Sequence, residues 1–194
     1  MIVLDQTDPD IRASIEICMS NSGKTGRILR LTHYFLGGKI GHKIKEVCQN
    51  DCLTTICLMR SGLPFGMGIA DELDCPILLL DEKKDVLWNT SHFEYGNGFI
   101  LENIDFLQDR TIILADAVIN DGNTLLSICD SIGPHCKEIL IASNVLRSDV
   151  ESKFSKFSLF VSRISENNFT GKRISEQDGK IGPDTGDRLF NLIL

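Results

Sequence analysis

The sequence predicts an α/β fold in which a parallel sheet is flanked by helices. Two observations carry that expectation. Five short apolar runs, at 54–59, 76–80, 111–115, 138–143 and 157–162, show little polar alternation, as strands buried on both faces do. Between two of them Leu125, Ile128, Cys129 and Ile132 repeat at the spacing of one helix face, and Gly133-Pro134 ends the pattern. A strand, a helix and a strand in that order form a βαβ unit, and repeated units build a doubly wound sheet.

In chain order, the N-terminal third is helical in character. Residues 11–19 and 28–36 carry apolar residues at helical spacing, broken at Asn21-Ser22-Gly23 and at Gly37-Gly38, so two helices are expected before the sheet. Leu58 to Gly66 follows the first strand and reads as a tight turn holding one Arg and two Gly. Residues 81–97 are rich in charge, Asn, Gly and aromatics between two core strands, which suits either a functional lid or a disordered loop. With 194 residues, no internal repeat and no linker, one domain spanning 1–194 with a flexible arm at about 81–97 is expected.

Composition narrows the function. Hydrophobic residues make up 42% and charged residues 24%, the balance of a globular protein. The net charge of −7 argues against a broad nucleic-acid footprint while leaving room for a small anion in a local pocket. No apolar run approaches the roughly 18–20 residues needed to cross a bilayer, so no membrane association is expected. Met1-Ile-Val-Leu-Asp5 lacks the basic and apolar regions of a secretory leader, and the seven cysteines form no CxxC pair. Reduced thiols in a cytoplasmic protein are the expectation.

The most informative stretch is Thr111 to Thr124, an apolar strand ending in Asp116 and then a polar loop that enters a helix. At the C-terminal edge of a parallel sheet, the loop Asn120-Asp121-Gly122-Asn123-Thr124 would turn backbone N–H groups toward one point, with the positive end of the helix dipole behind them. A phosphate suits that place, and Gly122 lets the backbone approach it. Asp116 would lie beside the phosphate, where a carboxylate accepts hydrogen bonds from vicinal hydroxyls. The same residues would also serve a plain Asx turn and helix cap. Arg60, with the amides near Ser61 and Gly62, suits a pyrophosphate. Near the C-terminus, Ile181 to Phe190 compresses two Asp, an Arg and two Gly into a non-periodic segment.

In order and spacing, Arg60-Ser-Gly-Leu63, Asp116 to Thr124, and Gly182-Pro-Asp-Thr-Gly-Asp-Arg-Leu-Phe-Asn191 resemble the three signature loops of the uracil phosphoribosyltransferases, members of the type I phosphoribosyltransferase fold. The last segment is the most specific, and the resemblance spans roughly residue 24 to the end. It implies phosphoribosyl transfer from phosphoribosyl pyrophosphate (PRPP) to uracil or a related base, giving a nucleoside monophosphate and pyrophosphate, as in pyrimidine salvage. It further implies Mg²⁺ bound through the pyrophosphate, and a homodimer. Arg60, Ser61 and Gly62 would then hold pyrophosphate, Asp116 the ribose hydroxyls, and Asn120 to Thr124 the 5′-phosphate. Asp184 would sit between sugar and base, Pro183, Asp184 and Thr185 would form the base site, and Asp187 and Arg188 would brace the loop. Arg60, Asp116 and Asp184 are thus the candidate catalytic residues, and the arm at 81–97 would close over the site.

Three departures from the family pattern bear on chemistry. Asp121 stands where the family has Thr, so its carboxylate is expected either to point outward or to occupy the helix-end anion site itself. Pro183 replaces a Gly and cannot donate a backbone hydrogen bond. The arm lacks the family's Tyr-Arg pair, for which Lys83 or Lys84 would substitute. Asp121 and Pro183 favour, as an alternative, a non-catalytic protein of the same fold that senses a phosphoribosyl ligand. A remoter alternative is a P-loop kinase, because Ser20 to Thr25 looks like the second half of a nucleotide loop, although Cys18 stands at the position of its first Gly.

Overall fold

The computed structural model describes residues 1–48, 52–81, 104–166 and 184–191. The element order is β1 (Ile2–Val3), α1 (Pro9–Cys18), α2 (Gly26–Val47), β2 (Leu53–Met59), α3 (Gly62–Leu73), β3 (Ile77–Asp81), β4 (Thr111–Ile119), α4 (Asn123–Ile132), β5 (Glu138–Arg147), β6 (Ser158–Ser165) and α5 (Thr185–Phe190). Six strands form one sheet in the order β1-β6-β5-β4-β2-β3, with every pair parallel. The near-continuous apolar runs are accounted for by two cores. On one face Ile112, Leu114 and Ile141 meet Leu125, Ile128 and Ile132 of α4. On the other, Ile113, Ala115, Leu140 and Phe160 meet Leu29, Leu36 and Ile40 of α2 and Phe65 and Ile69 of α3. The expected parallel sheet flanked by helices is therefore the observed one. The arm at 81–97, Lys83, Lys84 and Pro183 lie outside the described residues, apart from the arm's first residue, Asp81, which ends β3.

Four local expectations are corrected. Gly37-Gly38 does not break the second helix, which runs on to Val47. Its glycines serve contact instead: a Cβ on Gly37 would lie 2.0 Å from the Phe65 carbonyl oxygen, and one on Gly68 of α3 would lie 2.0 Å from that of Tyr34. The two helices approach so closely that burial outweighs the roughly 1 kcal/mol helix penalty of each Gly. Second, a strand precedes the helices, since Ile2 and Val3 pair with Phe160 and Val161 on β6; two residues are too short to show a period. Third, β4 does not end at Asp116 but continues to Ile119, held by Val118↔Val145 and Ile119↔Leu146 pairing. Fourth, Gly62 to Gly66 is not a turn but the start of α3.

Close helix packing makes a sharp prediction. Gly68→Ala should lower the unfolding free energy by about 2–3 kcal/mol through overpacking. Gly38→Ala, whose Cβ would meet only Gly68 O at 3.8 Å, should leave it unchanged or raise it by up to about 1 kcal/mol. Urea unfolding of both variants tests this, and equal losses would contradict it.

His33 of α2 is buried beneath β5, its Nε2 3.5 Å from Asn144 Nδ2. Burial, reinforced by the Arg188 guanidinium, holds its pKa down to about 3 from the ordinary 6.5. Because the folded value lies below the unfolded one, the unfolded chain takes up the proton first as pH falls. Stability from the neutral ring is whole above about pH 6.5 and declines toward pH 3, by up to about 1.4 kcal/mol per unit. Between pH 7 and 5 the wild type should lose about 2 kcal/mol more than His33→Gln does. Urea unfolding at both values checks this, and equal losses would remove His33 as the cause.

Candidate active site

The strand order places a crevice before any side chain is considered. From β2 the chain moves outward to β3, then returns to the other side of β2 and proceeds through β4, β5 and β6. The strand order reverses between β2 and β4, and the carboxyl ends at such a switch point are where open α/β sheets bind ligands. The two loops that leave those ends are 60–62 and 120–123.

Side chains join the loops and recruit the C-terminal helix. Ser61 Oγ donates to Asp116 Oδ1 at 3.1 Å. Gly62 lies against β4 so closely that a Cβ would come 2.5 Å from Ala115 O. Arg60 Nη2 pairs with Asp187 Oδ1 at 3.1 Å, which ties the first loop to α5. The Met59–Arg60 peptide bond is cis. Asp184 caps α5, its Oδ1 accepting from Gly186 N at 2.8 Å and Asp187 N at 3.3 Å, and Thr185 is buried behind it. The three candidate segments thus meet at one edge of the sheet.

Residues 120–122 link β4 to α4. Gly122 adopts φ 74°, and a Cβ there would lie 2.6 Å from the Phe154 ring, so both its conformation and its contact require glycine. Asn123 and Thr124 already belong to α4. Of the two positions open to Asp121, the structure takes the second: its Oδ1 accepts from Asn123 N at 2.9 Å, so the carboxylate sits on the helix end. Sequence reasoning missed two cations beside this loop. Arg147 Nη1 donates to Asn120 Oδ1 at 3.0 Å and its guanidinium pairs with Asp149, which holds the Asp149 carboxyl below its usual range. Lys153 Nζ donates to Asp121 O at 2.8 Å and Asn123 Oδ1 at 3.2 Å. Arg147 ends β5 and Lys153 follows it; β5 is the neighbour of β4, so only the strand order would have revealed them.

Arg188 ties α5 to the segment before α2. Its guanidinium is buried and donates to the carbonyls of Cys18 and Met19, each at 3.0 Å, to that of Lys24 at 3.0 Å, and to Ser22 Oγ at 3.1 Å. That arrangement corrects the P-loop reading of 20–25. The segment follows α1 rather than a strand, and carbonyl oxygens, not amides, converge on its centre. Such a loop cradles a cation, whereas a phosphate cradle turns N–H groups inward.

Fold and site together define a doubly wound α/β protein whose polar loops gather at the switch point of its sheet. More specifically, the chain belongs to the phosphoribosyl transferase domain family, whose model matches residues 36–169, and its architecture is the type I phosphoribosyltransferase fold. Solved structures share it. A protein of Aquifex aeolicus superimposes with a TM-score of 0.69 at 17% identity, covering 97% of this chain and 98% of its own. A purine phosphoribosyltransferase of Pyrococcus horikoshii gives 0.50 at 20% identity over 73% and 86%. A Neisseria gonorrhoeae protein with bound ppGpp gives 0.53 at 11% identity over 69% and 79%. Among curated protein sequences none matches.

Proposed function

We propose that the protein transfers the phosphoribosyl group of PRPP to a ring nitrogen of uracil or a related base. The observation that carries this reading is the convergence of three sequence-distant segments at the switch point, through the Ser61–Asp116 and Arg60–Asp187 contacts. In the reaction the C1′–O bond to pyrophosphate breaks, a C1′–N bond forms, and the base releases its N–H proton. Positive charge develops on the ribose and negative charge on the leaving group, so catalysis rests on alignment and charge stabilisation. Asp116 accepts from the ribose hydroxyls. Arg60, held by Asp187, and the amides at Ser61 and Gly62 receive pyrophosphate, while Asn120 to Thr124 receive the 5′-phosphate. Mg²⁺ would arrive with the pyrophosphate and help neutralise its charge, and Asp116, whose half-buried carboxylate is a hard oxygen donor, would suit such an ion.

Uracil as the base rests on the Gly186-Asp187-Arg188-Leu189-Phe190 resemblance, with Pro183, Asp184 and Thr185 at the base edge. The homodimer finds support in Ile28, Leu31 and Phe35, exposed apolar residues along one stripe of α2. We place the protein in the cytoplasm.

Incubation with PRPP, Mg²⁺ and a panel of pyrimidine and purine bases tests the reading. Nucleoside monophosphate and pyrophosphate in equal amounts are expected with uracil or a close analogue. Product with purines alone would overturn the base assignment and keep the reaction. A second reading, ligand sensing without turnover, is favoured by the Asp121 carboxylate seated on Asn123 N; PRPP binding without pyrophosphate release from any base would select it.

A further inference from the structure

We propose that Lys153 is a phosphate-binding residue of the 120–124 loop, and that it compensates the charge of Asp121 when a phosphomonoester enters. This rests on the phosphoribosyl reading above and deepens it.

An ammonium at the amino end of a helix faces the positive end of the helix dipole and is disfavoured there unless an anion shares the place. Lys153 nonetheless sits against the first turn of α4, bonded to Asp121 O and Asn123 Oδ1. In the free protein the accompanying anion is the Asp121 carboxylate on Asn123 N. A ligand phosphate needs that same amide, so its arrival must turn the carboxylate away, leaving a carboxylate and a phosphate as near neighbours. Lys153 is fitted to offset that repulsion because it is anchored to the main-chain oxygen of Asp121, which stays in place when the side chain rotates. An ammonium has three donors, two of which these contacts use, and the third is left for a phosphate oxygen.

Its position is also fixed from behind. The next residue, Phe154, is buried with its ring against Gly122, so the backbone that bears Lys153 is docked onto the loop it serves. The other nearby cation, Arg147, is already paired with Asp149 and spends Nη1 on Asn120. Lys153 spends its two hydrogen bonds on neutral oxygens and acts on Asp149 only through its charge, so of the two cations it is the less committed.

The test is calorimetric titration of the full chain with PRPP, ribose 5-phosphate, ribose and pyrophosphate, the three phosphate-bearing ligands measured with and without Mg²⁺. Variants are Lys153→Ala, Lys153→Arg, Asp121→Asn and the Asp121→Asn/Lys153→Ala double. Lys153→Ala should weaken ribose 5-phosphate and PRPP roughly tenfold, as expected for loss of one charge-assisted hydrogen bond, and leave pyrophosphate alone within twofold. Lys153→Arg should retain most of the affinity. The double variant should recover most of what Lys153→Ala loses, whereas a merely structural lysine would give additive losses. If the wild type binds ribose 5-phosphate and Lys153→Ala binds it equally well, or the double variant is weaker still, this proposal is wrong while the functional reading stands. If the wild type binds neither PRPP nor ribose 5-phosphate, the functional reading fails and this proposal with it.

Discussion

Replacing Arg188 by leucine should lower the unfolding free energy by about 3–5 kcal/mol, the loss expected when a buried hydrogen-bond network is removed. Arg188 is 1% exposed and its guanidinium is the shared donor for the carbonyls of Cys18, Met19 and Lys24 and the Ser22 hydroxyl. A leucine fills part of the volume but leaves those oxygens without this donor in a part-buried seam. Arg188→Lys keeps the charge and loses the planar fork, so it should still cost at least about 2 kcal/mol. Urea unfolding at constant pH measures both. A loss below about 1 kcal/mol for Arg188→Leu would show that the carbonyls find water or other donors, and that α5 is not pinned through this residue.

Asp116→Asn should reduce kcat/KM for phosphoribosyl transfer by about 10²–10³. Two charge-assisted hydrogen bonds to ribose hydroxyls are each worth about 1.5–3 kcal/mol, and each 1.4 kcal/mol is tenfold in rate. The amide keeps the size of the side chain and its contact to Ser61, but not the negative charge that would face the developing oxocarbenium in the proposed reaction. The effect should therefore fall on kcat as well as on KM, since the interaction strengthens toward the transition state. Steady-state kinetics at saturating PRPP decide it. An undiminished kcat would move Asp116 out of the reacting region and leave it a partner of Ser61 alone.

The architecture was legible because parallel strands buried on both faces leave unalternating apolar runs, and five of the six strands did so. β1 was not, because Ile2 and Val3 gain their identity only by pairing with residues more than 150 positions away. The Gly37-Gly38 step misled for a related reason. Glycine's helix penalty is local, whereas the close approach to Phe65 and Gly68 that repays it is tertiary. At the site, Arg60, Ser61 and the 120–124 loop could be singled out as candidates because polar residues after a strand are written consecutively, and Asp116 because it interrupts the apolar run of β4. The partners of Asp187 and Arg188, Arg60 and the 18–24 carbonyls, lie more than 120 positions away and are written in no short motif. Arg147 and Lys153 stayed hidden, since their place beside the loop follows from β5 lying next to β4, which no short motif records.

In the proposed reaction the 60–62 loop, the 116–124 segment and the 184–187 turn close on one phosphoribosyl ligand. Amide hydrogen exchange of the full chain, with and without saturating PRPP and Mg²⁺, reads that closure. Slowed exchange is expected in all three segments together, with the amino end of the sheet near Thr111 and Glu138 unchanged. Protection confined to one segment, or centred elsewhere on the molecule, would contradict it.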